Sequence, residues 1–179
     1  MTKNDFEYKS LVSITLIGYI GNLLLGWIGF FYPHGSSGQL VLFQLGNAFA
    51  ITASVMAGRY TGLRGQHVAA SAYILLGITH GISLAALSKA GINAEREATM
   101  AMPMIPALLF MFWCNLFPRW LHVVTVIPSI CFTLIYIDVH LANSILGWTL
   151  YAGYATLQIC EVLWGYYLFK DWRGLRARN

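Results

Sequence analysis

The chain has 179 residues, of which 58% are hydrophobic and 10% are charged, and its formal net charge is +4. A water-soluble domain carries roughly 25% charged residues, so this composition excludes an ordinary soluble protein. It indicates an all-α, polytopic membrane protein with one compact helical domain.

Six apolar segments predict a bundle of six transmembrane helices, because each is near the ~20 residues that cross the hydrocarbon layer. In chain order, we expect the helices at about 10–31, 40–58, 66–88, 98–117, 119–138 and 143–170. Turn-forming residues separate them, such as 33–38 after the first helix and 117–119 after the fourth. The first apolar run is too long for a signal-peptide core and lacks a cleavage site, so we expect it to be retained.

The basic residues predict that both termini are cytoplasmic. Of the eleven lysines and arginines, nine fall on one side of the predicted bundle and two, Lys89 and Arg96, on the other. The nine are Lys3, Lys9, Arg59, Arg64, Arg119, Lys170, Arg173, Arg176 and Arg178. Both termini on one side require an even number of spans, which agrees with six. Without an organelle-targeting segment, we expect the bacterial cytoplasmic (inner) membrane.

The net positive charge predicts contact with lipid rather than with nucleic acid. The basic tail, residues 171–179, is expected to rest on anionic lipid headgroups. The lipid bilayer is therefore the first predicted partner. A homo-oligomer or a partner membrane subunit is the second, because six thin spans enclose little room.

Small residues predict tight packing among the first three spans. Span two carries Gly46, Ala50, Ser54 and Gly58 at intervals of four, which forms a continuous small-residue ridge. Spans one and three carry similar ridges of glycines. Such ridges let helix backbones approach closely, and close packing is what drives helix association in lipid.

Glu161 is the most informative residue of the chain, since a carboxylate at membrane depth costs a few kcal/mol and is usually held there by a partner or for a function. A helical rise of ~1.5 Å per residue places Asn22, Asn47 and His80 roughly 10–14 Å below the outer surface. Glu161 then lies near mid-membrane, with Gln158 one turn above it. Five polar side chains from four spans should therefore share one layer.

This layer predicts a polar cavity that opens to the outside, with Asp138 at its outer mouth. The candidate binding residues are Glu161, His80, Asn22, Asn47, Gln158 and Asp138. Glu161 and His80 would form a proton-responsive pair that binds a cation, relays a proton, or acts as acid and base. The alternative is a hydrogen-bonded core without a ligand, which we favour for Asn22, Asn47 and Gln158 taken alone.

The histidines allow a haem hypothesis. His67 near the start of span three and His122 near the start of span five are predicted at the same inner level, so they could ligate one haem b. Histidines at this boundary commonly face water or headgroups, which is the simpler interpretation. The sequence contains no metal-binding H-E-x-x-H, so no other metal site is expected.

Function is predicted from the polar layer alone, because the chain has no phosphate loop, no G-x-S-x-G and no long soluble loop. The first hypothesis is a transporter or channel, or a subunit of one, for a small solute or ion, with proton coupling through Glu161. The alternatives are an intramembrane enzyme on a lipid-like substrate, a haem-binding electron-transfer subunit, and an accessory or assembly subunit.

Overall fold

The structure is a computed structural model that describes residues 3–87, 94–142 and 147–177, and this part of the chain contains six α-helices and no strand. The helices are α1 (Lys3–Phe30), α2 (Ser37–Leu63), α3 (His67–Ala86), α4 (Ala94–Phe110), α5 (Arg119–Ala142) and α6 (Gly147–Arg176), with a 3-10 turn, Met111–Trp113, after α4. The prediction of an all-α protein is confirmed.

Four of these helices are long and apolar enough to cross a membrane: α1 from Phe6, α2, α3, and α5 up to Leu141. The shorter apolar segment Glu97–Trp113 contains most of α4. Helix α6 is long but more polar, with four tyrosines along its length and Lys170, Asp171 and Arg173 near its end. The finding supports a membrane protein, and the crossing of the bilayer by α4 and α6 stays a prediction.

Several helix bounds differ from the sequence prediction. Helix α1 begins at Lys3 rather than near residue 10, and α6 continues to Arg176, into the predicted tail at 171–179. For α2 the physical reason is identifiable. Helix α2 was expected to end near residue 58, but it continues through Gly62 to Leu63. A glycine inside a helix costs only about 1 kcal/mol, so it does not by itself end one. The helix ends where Gly65 adopts a left-handed φ of 73° and the amide of Gln66 donates to the carbonyl of Thr61. The fourth predicted helix ends at Phe110, well before residue 117.

The six helices form a closed ring. Each helix packs against the next along the chain, and α6 returns to pack against α1. At one end of the ring, which we call the terminal end, Tyr8 near the start of α1 contacts Tyr60 near the end of α2. At the opposite end, which we call the cavity end, Phe30 contacts Tyr151 at the start of α6.

Large side chains fill the ring interior toward the terminal end. Trp164 of α6 is fully buried and meets Tyr73 of α3 edge to face, with ring centroids 6.2 Å apart. Phe117, in the connection before α5, stacks on the other side of Trp164 at 6.5 Å. The interior is therefore packed, rather than open, between the centre of the ring and the terminal end.

Glycines allow the ring to close at two seams. A Cβ on Gly18 of α1 would lie 2.8 Å from Cβ of Ala53 and 2.9 Å from the carbonyl oxygen of Phe49 on α2. A Cβ on Gly165 of α6 would lie 3.2 Å from Cα of Leu16 on α1. These close approaches hold α1 against both of its neighbours, which fixes the rotation of α1 about its own axis.

Ion pairs join the helices at the terminal end. Arg64 donates to both carboxylate oxygens of Asp171, at 2.9 and 3.3 Å, and the Tyr60 hydroxyl donates to the same carboxylate at 2.7 Å. The hydrogen bond to Asp171 raises the pKa of the Arg64 guanidinium above its usual value. Arg59 pairs with Glu7 at the surface. These contacts link α2 to α6 and α1 where the chain begins and ends.

Candidate functional site

Glu161 lies at the centre of the ring, on α6, with 0% of its surface exposed. One carboxylate oxygen, Oε1, is 2.7 Å from Nε2 of His80 on α3. The other, Oε2, accepts a hydrogen bond of 2.8 Å from the side-chain amide of Asn22 on α1. Both oxygens of the buried carboxylate are therefore satisfied inside the chain, as the high free-energy cost of burying a charge requires.

Asn47 of α2 completes the arrangement on the far side of the imidazole. Its Oδ1 is 3.1 Å from Nδ1 of His80, and its amide nitrogen donates to the carbonyl of Phe43 at 2.9 Å. Because the amide nitrogen already donates to Phe43, Oδ1 must accept, so Nδ1 of His80 carries a hydrogen. We call Asn22, Glu161, His80 and Asn47 the polar chain.

The 2.7 Å hydrogen bond between Nε2 of His80 and Oε1 of Glu161 requires one proton between these two atoms. With Nδ1 acting as a donor to Asn47, Nε2 either donates to the carboxylate as part of an imidazolium, or accepts from a protonated carboxyl. Both states keep the hydrogen bond between Nε2 and Oε1, and both leave the pair neutral overall. Removing this proton leaves a buried carboxylate facing an imidazole lone pair, so occupancy by a proton is coupled to the charge of the site.

A cavity of about 360 Å³ lies above the polar chain, toward the cavity end. Three residues of the polar chain line the floor of the cavity, namely Asn22, Asn47 and His80. The fourth, Glu161, lies directly behind them. Most of the wall is aromatic or aliphatic, and it is contributed by α1, α2, the end of α3, α4 and α6. Mostly apolar walls with a few convergent polar groups are typical of small-molecule sites.

Gln158 also lines this cavity, one turn before Glu161 on α6. It packs against Gly26 of α1, where an added Cβ would lie 2.5 Å from Nε2 of Gln158. The structure therefore brings five of the six predicted residues, Asn22, Asn47, His80, Gln158 and Glu161, to one place.

Asp138 is the predicted residue that the structure places elsewhere. It lies near the end of α5, and no residue of α5 is among the described residues that line the cavity. Its Oδ2 atom is buried and has no hydrogen-bond partner within the described part of the chain. Helix α5 packs against α4 and α6, on the side of the ring away from α1 and α2, so matching depth was not sufficient to bring Asp138 to the site.

Glu97 and Tyr154 also line the cavity, although neither was predicted from the sequence. Glu97 is only 2% exposed, and its carboxylate accepts a hydrogen bond of 2.7 Å from the Tyr154 hydroxyl. Glu97 falls just before the predicted fourth span, at about 98–117, although α4 begins at Ala94. A helical signal was present, since Glu97 is followed at helical spacing by the buried residues Met100, Ala101, Met104, Leu108 and Met111.

The two histidines of the haem hypothesis lie at the other end of the ring. His67 is exposed at the start of α3, and His122 on α5 contacts the rings of Phe112 and Phe117. Helices α3 and α5 are not among the packed helix pairs of the described residues, because α4 lies between them. Within the same residues, no group of three or more metal-ligating side chains occurs. Haem binding stays a prediction.

Comparison of the chain with protein-family models, with curated proteins and with solved structures finds no match.

Proposed function

We propose that the protein is a six-span transporter, or a transporter subunit, that moves a small amphipathic solute in exchange for, or together with, a proton. The observation that carries the proposal is the polar chain on the floor of the cavity. A buried carboxylate that shares one proton with an imidazole, next to a solute-sized cavity, can couple solute binding to protonation.

The packing of the ring favours a transporter over a channel. The cavity reaches the centre of the ring from the cavity end, whereas Tyr73, Trp164 and Phe117 fill the interior on the other side of Glu161. A continuous pore would require these side chains to move, but a carrier needs access from only one side at a time. The contacts of Arg64 and Tyr60 with Asp171 would keep the terminal end closed in this state.

In this proposal all six helices cross the cytoplasmic membrane of a bacterial-type cell, and both termini are cytoplasmic. The cavity then opens to the outside, since it lies at the end of the ring opposite the termini. Arg173 and Arg176, on the last turn of α6, are exposed and would meet anionic headgroups at the inner surface.

An intramembrane enzyme is the second candidate, favoured by the position of His80 in the cavity wall. Its Nε2 is bonded to a carboxylate and its Nδ1 to Asn47, so the imidazole would act as general acid or base only after a substrate takes the place of Asn47 or Glu161 at one ring nitrogen. A lipid-like substrate would suit the apolar wall. Prolines inside α4 and α5, at Pro103, Pro106 and Pro128, would supply a bent portal.

The test is solute-driven proton movement in sealed vesicles that contain the purified protein and an internal pH-sensitive dye. A panel of small amphipathic cations, anions and neutral molecules is added outside, one at a time. We expect at least one of them to change the internal pH with the wild-type protein. Glu161→Gln should abolish this change, because the amide keeps the shape of the side chain but cannot exchange the proton.

Glu7→Gln is the matched control, since Glu7 is a surface carboxylate at the terminal end, paired with Arg59. It should behave as the wild type, and circular dichroism should show the same helix content for both variants. A solute-driven change in internal pH that persists in Glu161→Gln would contradict the transport proposal. Conversion of vesicle lipid by the wild type, lost in both Glu161→Gln and His80→Ala, would favour the enzyme instead.

A further inference from the structure

We infer that the cavity binds a small organic cation, a protonated or quaternary amine on an apolar body, and releases one proton for each cation bound. This inference rests on the proposed function, because it names the ligand class of the same site. Two features support it, namely the aromatic wall of the cavity and the single proton held by the polar chain.

The aromatic wall suits a cation with an apolar body. Six of the residues that line the cavity are aromatic, namely Trp27, Phe30, Phe31, Phe43, Tyr151 and Tyr154. At the mouth, the rings of Phe30 and Tyr151 meet edge to face with their centroids 5.1 Å apart, which joins α1 to α6. Aromatic faces attract ammonium groups through the ring quadrupole, and cages of such rings recognise quaternary ammonium ligands.

The charges around the cavity also favour a cation over an anion. Among its described lining residues there is no lysine or arginine, and Glu97 is one of them. Glu97 takes part in further contacts, so the relevant negative charge is that of Glu161, which lies directly behind His80 and Asn22. Once the shared proton has left, the floor carries this charge, which attracts a cation and repels an anion strongly in a medium of low dielectric constant.

Exchange of a proton for the cation follows from the charge of the polar chain. With its shared proton, the His80–Glu161 pair is neutral, so a bound cation would leave the site with one uncompensated positive charge. If the proton leaves Nε2 or Oε1 for solvent, the neutral imidazole, the carboxylate and the cation again sum to zero. No covalent bond of the ligand forms or breaks, so the step amounts to the loss of one proton.

Other titratable groups near this pair do not take over its role. Those that face it or share the cavity are Tyr19 from α1, Tyr73 from α3, Glu97 from α4, and Tyr151, Tyr154 and Cys160 from α6. Helix α2 contributes Asn47 to the pair, and Ser54, whose hydroxyl is 3.1 Å from that of Tyr19. Phenols and thiols keep their protons near neutral pH, which excludes all of these groups except Glu97, and loss of proton release in Glu161→Gln distinguishes the His80–Glu161 pair from Glu97. The proton between His80 and Glu161 is thus the one expected to exchange.

The experiment uses phenyltrimethylammonium as the probe and tert-butylbenzene as its neutral isostere. Cation binding to the full-length protein in lipid nanodiscs is measured by calorimetry in two buffers of different ionisation enthalpy. We expect about one proton released per cation, and an affinity that rises with pH by up to about tenfold per pH unit. The neutral isostere should not displace the cation.

Glu161→Gln should bind the cation more weakly, with no proton release and no pH dependence, because it lacks the carboxylate that compensates the cation, whereas Glu7→Gln should match the wild type. The proton count needs only wild-type protein, so it decides the inference even if a variant does not fold. The inference is overturned by a proton count near zero, by equal competition from tert-butylbenzene, or by absence of cation binding at every pH. If anionic or neutral solutes drive proton movement in the vesicle assay, the proposed transport function holds and only the organic cation as ligand is rejected.

Discussion

Asn47 sets the chemistry of the polar chain although it does not touch Glu161. Its amide nitrogen is held by the carbonyl of Phe43, one turn earlier on α2, so its oxygen faces Nδ1 of His80. This contact places the hydrogen of a neutral His80 on Nδ1 and leaves Nε2 for the carboxylate. The sharing of a proton between His80 and Glu161 therefore depends on Asn47, which is itself held by a hydrogen bond within α2.

We expect Asn47→Leu to give a mixture of the two neutral tautomers of His80 and to lower the free energy of unfolding by about 1 kcal/mol. The leucine leaves the Nδ1 hydrogen without its acceptor, so the neutral imidazole loses its preference for one nitrogen. Nitrogen-15 spectra of histidine-labelled protein would report the tautomer directly, with His80→Ala used to assign the signal.

Gln44→Leu is the control for this change, because Gln44 is exposed on the same helix, one turn from Asn47. It should leave both the spectrum and the stability within about 0.5 kcal/mol of the wild type. Asn47→Asp, which keeps an acceptor facing Nδ1, should retain the tautomer. An unchanged His80 signal in Asn47→Leu would contradict the role given to Asn47.

The sequence was sufficient to predict the depth of these residues but not the direction in which they face. A helix rises by a fixed distance per residue, so Asn22, Asn47, His80 and Glu161 could be assigned to one layer from their positions alone. The direction in which a side chain faces depends on the rotation of its helix about its own axis. That rotation is set by packing against neighbouring helices, and it cannot be read from positions in the sequence. Asp138 shows the difference, since it belongs to α5, whose described residues do not line the cavity.

At the scale of the helices, the approach of α1 to α2 is what brings Asn22 to the carboxylate. Gly18 lies against the backbone of α2, and Gly46 of α2 leaves room for Asn22, whose Oδ1 would be 3.1 Å from a Cβ at that position. Gly18 and Gly46, which pack between α1 and α2, belong to the small-residue ridges of the sequence. This close contact could be predicted, because small residues favour close packing of helices in lipid.

We expect Gly18→Ala to lower the free energy of unfolding by about 1–3 kcal/mol, since the new methyl group would overlap the backbone carbonyl of Phe49 and Cβ of Ala53. Neither atom belongs to the flexible end of a side chain, so the two helices must move apart. Denaturation with SDS in mixed micelles would measure the change, and cation binding would report whether Asn22 has shifted.

The matched control is Gly81→Ala on α3, where an added Cβ would have no neighbour within 4 Å in the described structure. It should be neutral, or should stabilise the helix by up to about 1 kcal/mol, because alanine has the higher helix propensity. Equal losses in the two variants would mean that the α1–α2 seam is looser than the structure indicates.

Glu97 shows how a loop-like composition can hide one part of the site. The segment 91–97 contains one glycine, one asparagine and three charged residues, a composition typical of a loop, so the sequence prediction begins the fourth span only at about residue 98. In the structure α4 starts at Ala94, so Glu97 lies on its first turn and faces inward with Met100 and Met104. Acidic residues are favoured at the start of a helix, which is the local reason that α4 can begin there.

At the scale of the whole molecule, the closed ring gives its two ends different properties. The cavity end carries the aromatic mouth, whereas the terminal end carries the Arg64–Asp171 and Arg59–Glu7 ion pairs. Because consecutive helices alternate in direction, six helices return the chain to the end at which it began. The location of both termini on the cytoplasmic side of a membrane stays a prediction.

The orientation in the membrane can be tested with single cysteines placed at the two ends. His34 lies exposed in the connection between α1 and α2 at the cavity end, and Ala177 is exposed just after α6 at the terminal end. We expect a membrane-impermeant maleimide to label His34→Cys in intact cells, and Ala177→Cys only after the membrane is opened, because the side rich in lysine and arginine stays in the cytoplasm.

The native protein provides the background for this measurement, since Cys114, Cys131 and Cys160 are all free and buried, and buried thiols react slowly. Neither substitution changes the number of lysines and arginines, so the charge bias that sets the orientation is preserved. Labelling of both cysteines from outside would mean that the chain crosses the membrane an odd number of times, which would remove either α4 or α6 from the set of spans. Labelling of Ala177→Cys alone would mean that the protein has the opposite orientation in the membrane. The cavity with its proton-sharing pair would then open to the cytoplasm.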